Sequence, residues 1–158
     1  MKEIQLNNGL VALVDDEDFE YLNQWKWRVS NGYAARDVWK TPSKRTTIQM
    51  HRIIMNTPDG FETDHISGNR LDNQRSNLRI CTHGQNMMNV KTPRHNTSGY
   101  KGVSWNKKKE KWYAQIRVHR KTIFIGYFDL LGDAAESYNI AAKKYHNEFA
   151  RINELPET

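Results

Sequence analysis

Residues 62–86, ETDHISGNRLDNQRSNLRICTHGQN, place two short strand-like segments on either side of a long polar segment. ETDH and LRICT have the length and residue types of strands, whereas SGNRLDNQRSN has the composition of a loop. Thr82 followed by Gln85 matches a capping box, which predicts that HGQNMMNV forms a helix. The stretch therefore predicts a strand, a polar loop, a second strand and a helix, in that order.

Four polar side chains in this stretch have the chemistry that phosphodiester hydrolysis needs. A neutral imidazole at His65 can take a proton from water near neutral pH. A carboxylate at Asp64 and an amide at Asn86 are oxygen ligands of the kind that Mg²⁺ or Mn²⁺ prefers. Because neighbouring strand residues point to opposite sides, Asp64 and His65 can divide metal binding and water activation between them. Asn77, at the end of the loop, is suited to hydrogen bonding the backbone and fixing the loop shape.

Composition limits the class of protein. The chain has 158 residues, 37% hydrophobic residues and a mean hydropathy of −0.87, which predicts small folded cores and no transmembrane helix. The start, MKEIQLNNG, has no apolar segment of the secretory type. One cysteine, Cys81, cannot form a disulfide within the chain, and its setting predicts a buried strand position. A cytoplasmic protein is expected.

The positive charge is concentrated in the second half of the chain. The net charge is +6, and Glu110 is the one acid between residues 91 and 125. Such asymmetry indicates a polyanionic partner. The basic residues of that segment are Lys91, Arg94, Lys101, Lys107, Lys108, Lys109, Lys111, Arg117, Arg120 and Lys121.

Residues 1–50 predict a small, mostly antiparallel β module. GLVALV has strand length, DDEDFEYL is suited to a helix, and the alternation in WKWRV predicts a strand that contains Trp25 and Trp27. Asn31-Gly32 predicts a hairpin turn. Residues 51–90 are assigned to the motif described above, with HRIIMN as a short helix or strand end.

Residues 91–98 have the composition of a linker, and residues 99–153 predict three strands followed by a helix. In YAQIRV, alternation directs Ala114 and Ile116 toward the helix and Gln115 and Arg117 outward. The helix is expected over residues 132–147; its N-terminus lacks a good cap, and Asp129 is the candidate for that role. The fold class is therefore α+β: an antiparallel module, a central strand–loop–strand–helix unit and a three-stranded antiparallel sheet packed on one helix.

Asp64-His65, Asn77 and Asn86, in the frame DHISGNRLDNQRSNLRICTHGQN, resemble the HNH endonuclease family, in its phage homing-type branch. The resemblance implies a ββα-metal unit in which His65 is the general base, Asp64 and Asn86 bind the metal, and Asn77 pins the loop. It also places His83 near the scissile phosphate. One Mg²⁺ or Mn²⁺ ion is expected, held weakly unless DNA is present.

The pattern GVSW…KWYAQIRV…IGYFD…AAESYNIAAKKY resembles the DNA-binding domain of plant ethylene-response factors, an APETALA-type domain that lays its outer sheet face in the major groove. Lys and Ser stand at 101 and 104 where the plant proteins carry Arg, and Phe stands at 124 where they carry Trp. The expected DNA contacts are Lys101, Ser104, Trp105, Lys107, Gln115, Arg117, Lys121 and Phe124.

Together these features predict a metal-dependent endonuclease of phage or bacterial type that hydrolyses double-stranded DNA, acting in the bacterial cytoplasm as a monomer or as a DNA-assembled dimer. No membrane partner and no small-molecule cofactor is expected. A non-catalytic DNA-binding regulator that keeps the ββα unit as a scaffold is the alternative. An RNA-directed protein is a third, since Tyr and Trp on a basic sheet can stack bases.

Overall fold

The computed structural model describes residues 1–93 and 95–156. Within them lie ten strands, four α-helices and three 3-10 turns, so the fold is mixed, with several small antiparallel sheets. The strands are β1 (Lys2–Gln5), β2 (Val11–Val14), β3 (Arg28–Ser30), β4 (Tyr33–Thr41), β5 (Lys44–Gln49), β6 (Glu62–His65), β7 (Leu78–Cys81), β8 (Val103–Asn106), β9 (Lys111–Val118) and β10 (Lys121–Phe128). The helices are α1 (Asp16–Leu22), α2 (Met50–Ile54), α3 (His83–Asn89) and α4 (Leu131–His146).

The chain divides into two compact units, Met1–Asn86 and a second that begins at Met87. The N-terminal unit contains three antiparallel sheets, ordered β1-β2, β3-β4-β5 and β6-β7. Residues of the predicted β module and of the strand–loop–strand segment share one hydrophobic core, in which Val14, Trp27 and Leu78 are all buried. The predicted boundary near residue 50 therefore falls inside a common core.

The C-terminal unit packs α4 on one face of the antiparallel sheet β10-β9-β8. Small side chains on α4 allow this close approach, since Ala134, Ala135 and Ala142 are fully buried. Gly102 has φ of +75°, and a Cβ there would collide with the Tyr138 ring. Glycine is therefore required both for the backbone conformation and for the helix contact.

Several local predictions are confirmed. Asn31-Gly32 joins β3 to β4, and Cys81 is buried on β7. The capping box is present: the Thr82 N–H donates to Gln85 Oε1 at 2.8 Å, and the Gln85 N–H donates to Thr82 Oγ1 at 3.3 Å. Ala114 and Ile116 are buried in the C-terminal core, whereas Gln115 and Arg117 are exposed.

Two local predictions are wrong. The strand expected to contain Trp25 and Trp27 begins only at Arg28, because the chain must first turn away from α1. Trp27 stabilises that turn by donating its indole N–H to the Leu22 carbonyl at 2.8 Å. Asp129 does not cap α4; its carboxylate pairs with Lys111 Nζ at 2.9 Å, and no side-chain cap is seen at the helix start.

Candidate functional site

The hairpin β6-β7 and helix α3 carry the predicted catalytic residues. In the hairpin, Asp64 lies opposite Arg79 and His65 opposite Leu78. Residues opposite each other share a face of the sheet, and neighbours along a strand alternate between faces. Glu62, Asp64 and Arg79 therefore lie on one face, whereas His65 and Leu78 lie on the other.

Asn77 holds the loop between the two strands. Its side-chain oxygen accepts the Ser67 N–H at 2.9 Å, and its amide nitrogen donates to the Asp72 carbonyl at 2.8 Å. Its backbone carbonyl accepts the Ile66 N–H at 2.8 Å. One side chain thus connects the beginning and the later part of the loop, which is the geometry expected of the middle Asn.

The His65 ring is held between aromatic neighbours in the N-terminal unit. Its centroid lies 4.9 Å from that of His51 and 5.8 Å from that of Tyr33. His65 Nε2 lies 3.3 Å from Asn73 Oδ1, and Asn73 Nδ2 donates to the Leu71 carbonyl. Because the Asn73 amide nitrogen is already a donor, its oxygen is the acceptor, which assigns the His65 N–H to Nε2 and the lone pair to Nδ1.

Burial lowers the pKa of His65, because the charged imidazolium loses its water. The same effect lowers the pKa of His51 to about 3. Both rings are therefore neutral at pH 7. A neutral His65 is the protonation state that a general base requires.

The Asp64 carboxylate forms a buried ion pair. Arg79 Nη2 and Nε lie 2.7 and 3.0 Å from Asp64 Oδ2. Both side chains are largely shielded from solvent, at 14% exposure for Arg79 and 8% for Asp64. A cationic group therefore already compensates the charge of the predicted metal ligand.

Glu62 links the two predicted residues of α3 to the hairpin. Its Oε1 lies 2.8 Å from His83 Nδ1, and its Oε2 accepts the Asn86 amide N–H at 2.6 Å. The hydrogen bond from Asn86 is the main reason that the pKa of Glu62 is lowered. Since the nitrogen of Asn86 faces Glu62, its oxygen is the atom left for a metal ion.

Sequence reasoning missed Glu62, Asn73 and Arg79. Glu62 stands two positions before Asp64, so alternation alone places both carboxylates on one face, and this signal was available. Arg79 and Asn73 carried no comparable signal. Their roles depend on strand register and on the folded path of the loop.

The donor set suits a hard cation. The carboxylates of Glu62 and Asp64 share a strand face, and the Asn86 amide contacts Glu62. In the described ranges, 1–93 and 95–156, no group of three His, Cys, Asp or Glu side chains is placed to hold a metal ion. An ion at this hairpin would therefore depend on amide and phosphate oxygens as well as on carboxylates.

The predicted DNA contacts fall into two groups in the C-terminal unit. Gln115, Arg117 and Phe124 are exposed on the sheet face opposite α4, where Phe124 pairs with Gln115. Ser104 pairs with Tyr113 on this face, Lys107 and Lys121 are exposed at strand ends, and Trp105 is 42% exposed on the edge strand β8.

Lys101 lies elsewhere. Its ammonium group donates to the carbonyls of Met88 and Val90, at 2.5 and 2.8 Å. Burial lowers the pKa of Lys101 to about 8. In this structure the Lys101 side chain therefore links the end of α3, and the residue after it, to the segment just before β8.

The unit is of the ββα type: a strand, a loop, a second strand and a helix that carry Asp64-His65, Asn77 and Asn86 in these positions. The sequence profile of the HNH endonuclease family matches residues 56–88. Protein 3.8 of Escherichia phage T7 is 39% identical over 95 residues, which cover 60% of this chain and 78% of that protein. The chain therefore belongs to the same family as Protein 3.8 and carries an HNH endonuclease domain.

A second relative extends over more of the chain. An uncharacterized HNH endonuclease, L560, of Acanthamoeba polyphaga mimivirus is 28% identical over 153 residues, which cover 93% of this chain and 76% of that protein. No solved structure matches the chain significantly. None of the helices among residues 1–93 and 95–156 is long and apolar enough to cross a membrane.

Proposed function

We propose that the protein is a metal-dependent endonuclease that hydrolyses phosphodiester bonds in double-stranded DNA. The observation that carries this proposal is the arrangement of the ββα unit, in which a buried, neutral His65 adjoins Asp64 while Glu62 holds Asn86 against the same hairpin. The HNH endonuclease profile and the viral relative of that name support it. The proposed setting is the cytoplasm of a phage-infected or bacterial cell.

In this proposal His65 removes a proton from the attacking water. Asn73 holds the N–H on Nε2, so Nδ1 receives the proton. The pKa of His65 is lowered from its ordinary value, which favours the neutral ring at pH 7. Asn77 acts indirectly, by fixing the loop that positions Asn73 and the end of β6.

Asp64 and Asn86 are the proposed ligands of one Mg²⁺ or Mn²⁺ ion, which when bound supplies charge stabilisation for the phosphate and the departing oxygen. Glu62 is a positioning residue, because it turns the Asn86 amide oxygen away from itself and holds His83 at the start of α3. Arg79 balances the Asp64 charge when no ion is bound.

The basic sheet face of the C-terminal unit is proposed to bind the duplex. Exposed Gln115 and Arg117 present amide and guanidinium groups that can hydrogen bond base edges in a major groove. The resemblance to the ethylene-response-factor domain supports this arrangement, and the sheet packed on one helix agrees with it.

A non-catalytic DNA-binding regulator is the second candidate, and one observation favours it. Asp64 is already paired with Arg79, so a cation is present at the hairpin without any metal. A scaffold that only binds DNA would not need a metal ion to balance the charge of Asp64.

Supercoiled plasmid incubated with the full chain and Mn²⁺, with nicked and linear products resolved, separates the two candidates. We expect cleavage that EDTA abolishes, and a decrease of about 100- to 10,000-fold in the His65→Ala variant, the usual contribution of a general base. DNA affinity measured in EDTA should not change. His95→Ala, at an exposed histidine of the linker, is the matched control.

Absence of metal-dependent cleavage in the wild-type chain, with duplex binding intact, would identify the regulator instead. The product also shows whether one or both strands are cut, since one active site per chain produces a nick unless two chains act together.

A further inference from the structure

The outer face of the C-terminal sheet carries a cluster of exposed aromatic rings. The ring centroids of Phe124 and Tyr127 lie 4.9 Å apart, and those of Tyr113 and Tyr127 lie 6.3 Å apart. Phe124 is 53% exposed and Tyr127 is 39% exposed. Clustered aromatic surface left in contact with water is characteristic of a binding site.

A β-bulge in β10 brings two of these rings to the same face. Phe124 pairs with Gln115 and Tyr127 with Tyr113, and the register shifts between Phe124 and Gly126. Without that shift, residues 124 and 127 would point to opposite faces, because side chains alternate along a strand. Bulges often redirect a side chain next to a functional site.

The three rings of the cluster line an open surface cavity of about 370 Å³. Its remaining lining comes from Trp105 and the following turn. Trp105 is oriented by an edge-on contact with Trp112, with centroids 5.0 Å apart. The residues that line this aromatic cavity are Trp105, Asn106, Lys107, Lys108, Tyr113, Phe124 and Tyr127.

The charge around the aromatic cavity is positive. Lys107 and Lys108 line it, and the Lys109 ammonium lies 4.6 Å from the centroid of the Tyr127 ring. A ligand that fits must therefore offer a flat π-surface for the rings and negative charge for the lysines. A nucleotide has both, a base and its phosphates.

An intact duplex does not present the required surface, because its base faces are covered by stacking and only base edges reach the grooves. We propose that the aromatic cavity binds an unpaired nucleobase of DNA, stacked on Phe124 and Tyr127, with the lysines of the turn on the neighbouring phosphates. This goes beyond the proposed nuclease function, since it requires neither metal nor cleavage. It gives the C-terminal unit a preference for duplexes that are locally opened.

Fluorescence anisotropy with labelled DNA tests this assignment on the full chain in EDTA. The probes are an intact duplex, the same duplex carrying one extrahelical thymine, and a single-stranded RNA and DNA of identical sequence. The duplex with the unpaired base should bind about tenfold more tightly than the intact duplex, in the range that stacking of one base provides. The DNA single strand should bind at least as tightly as the RNA.

The Tyr127→Leu variant should remove the preference for the unpaired base and leave affinity for the intact duplex nearly unchanged, because leucine keeps apolar bulk but cannot stack and Tyr127 is not among the expected duplex contacts. Phe124→Leu should also remove the preference and serves if Tyr127→Leu is poorly folded by circular dichroism. Because Phe124 is an expected duplex contact, the readout for this variant is the ratio of the two duplex affinities. Tyr145→Leu is the matched control, since Tyr145 is a partly exposed aromatic residue on α4, on the other side of the domain.

Equal affinity for both duplexes would overturn the proposal. An equal loss of affinity for both duplexes in Tyr127→Leu would do the same, because the ring would then serve ordinary duplex binding. Tighter binding of RNA than of DNA would assign the cavity to a different nucleic acid.

Discussion

In the N-terminal unit the predicted site residues Asp64, His65 and Asn77 are buried and hydrogen bonded, whereas in the C-terminal unit most predicted contacts lie on an exposed sheet face. Counted over the whole residue, side chain and backbone together, Asp64 and His65 are 7% and 4% exposed. By contrast, Gln115 and Arg117 are open to solvent. The first arrangement fixes geometry and protonation before DNA arrives, and the second leaves side chains ready for a large charged partner.

This difference leads us to expect that salt affects binding far more than it affects the chemical step. Duplex affinity should fall about 100-fold between about 50 and about 200 mM salt if roughly four phosphates are neutralised. The single-turnover cleavage rate at saturating protein should change little. Lys121→Gln, at an exposed strand end, should reduce the slope of log affinity against log salt by about the contribution of one phosphate contact.

A salt response that is equally steep in Lys121→Gln and in wild type would contradict the comparison, because duplex binding would then not depend on the exposed basic residues of the C-terminal sheet. Lys26→Gln, at an exposed lysine of the N-terminal unit, is the control for charge alone.

Glu62→Gln tests whether the Glu62 carboxylate, which bonds Asn86 and His83, organises the proposed metal site. We expect metal-dependent cleavage to fall by about 10- to 100-fold, as for other residues that orient a metal ligand. A neutral amide holds the Asn86 and His83 side chains less firmly than the Glu62 carboxylate does. The loss should be partly recovered at high Mn²⁺ concentration, which a simple folding defect would not allow.

Glu3→Gln, at an exposed strand residue of the same unit, is the matched control. An unchanged dependence of the cleavage rate on Mn²⁺ concentration in Glu62→Gln would show that Asn86 is positioned without Glu62.

The smallest expected effect concerns pH and the stability of the N-terminal unit. The folded-state pKa of His51 is about 3, below its ordinary value of 6.5, so the unfolded chain takes up a proton first as the pH falls. This contribution to stability is complete above pH 6.5 and is lost as the pH falls toward 3, at most about 1.4 kcal/mol per pH unit. The lowered pKa of His65 acts in the same direction.

Thermal unfolding at several pH values between neutral and about 4.5 measures how steeply the free energy of unfolding depends on pH. In His51→Gln this dependence should be weaker by the amount that corresponds to one proton. A slope identical to that of wild type would contradict neutral burial of His51. His119→Gln, at an exposed histidine, should leave the slope unchanged.

Local patterns predicted much of the fold. Alternation placed Ala114 and Ile116 inside, and the Thr82/Gln85 capping box placed the start of α3. The same patterns could not identify Asn73, whose contact with His65 depends on how the polar loop folds back beside Leu13. They could not place Tyr127 either, because strict alternation from Phe124 directs it toward α4.

The bulge in β10 also explains which residues can follow Phe124. Ile125 and Gly126 both lie on the helix side, and a Cβ at Gly126 would come within 3.2 Å of the Phe128 ring. Two successive residues fit there because one of them has no side chain. Other proteins with a comparable aromatic surface should therefore show two aromatic residues three positions apart with a glycine directly before the second, a spacing that a search for strict alternation would reject.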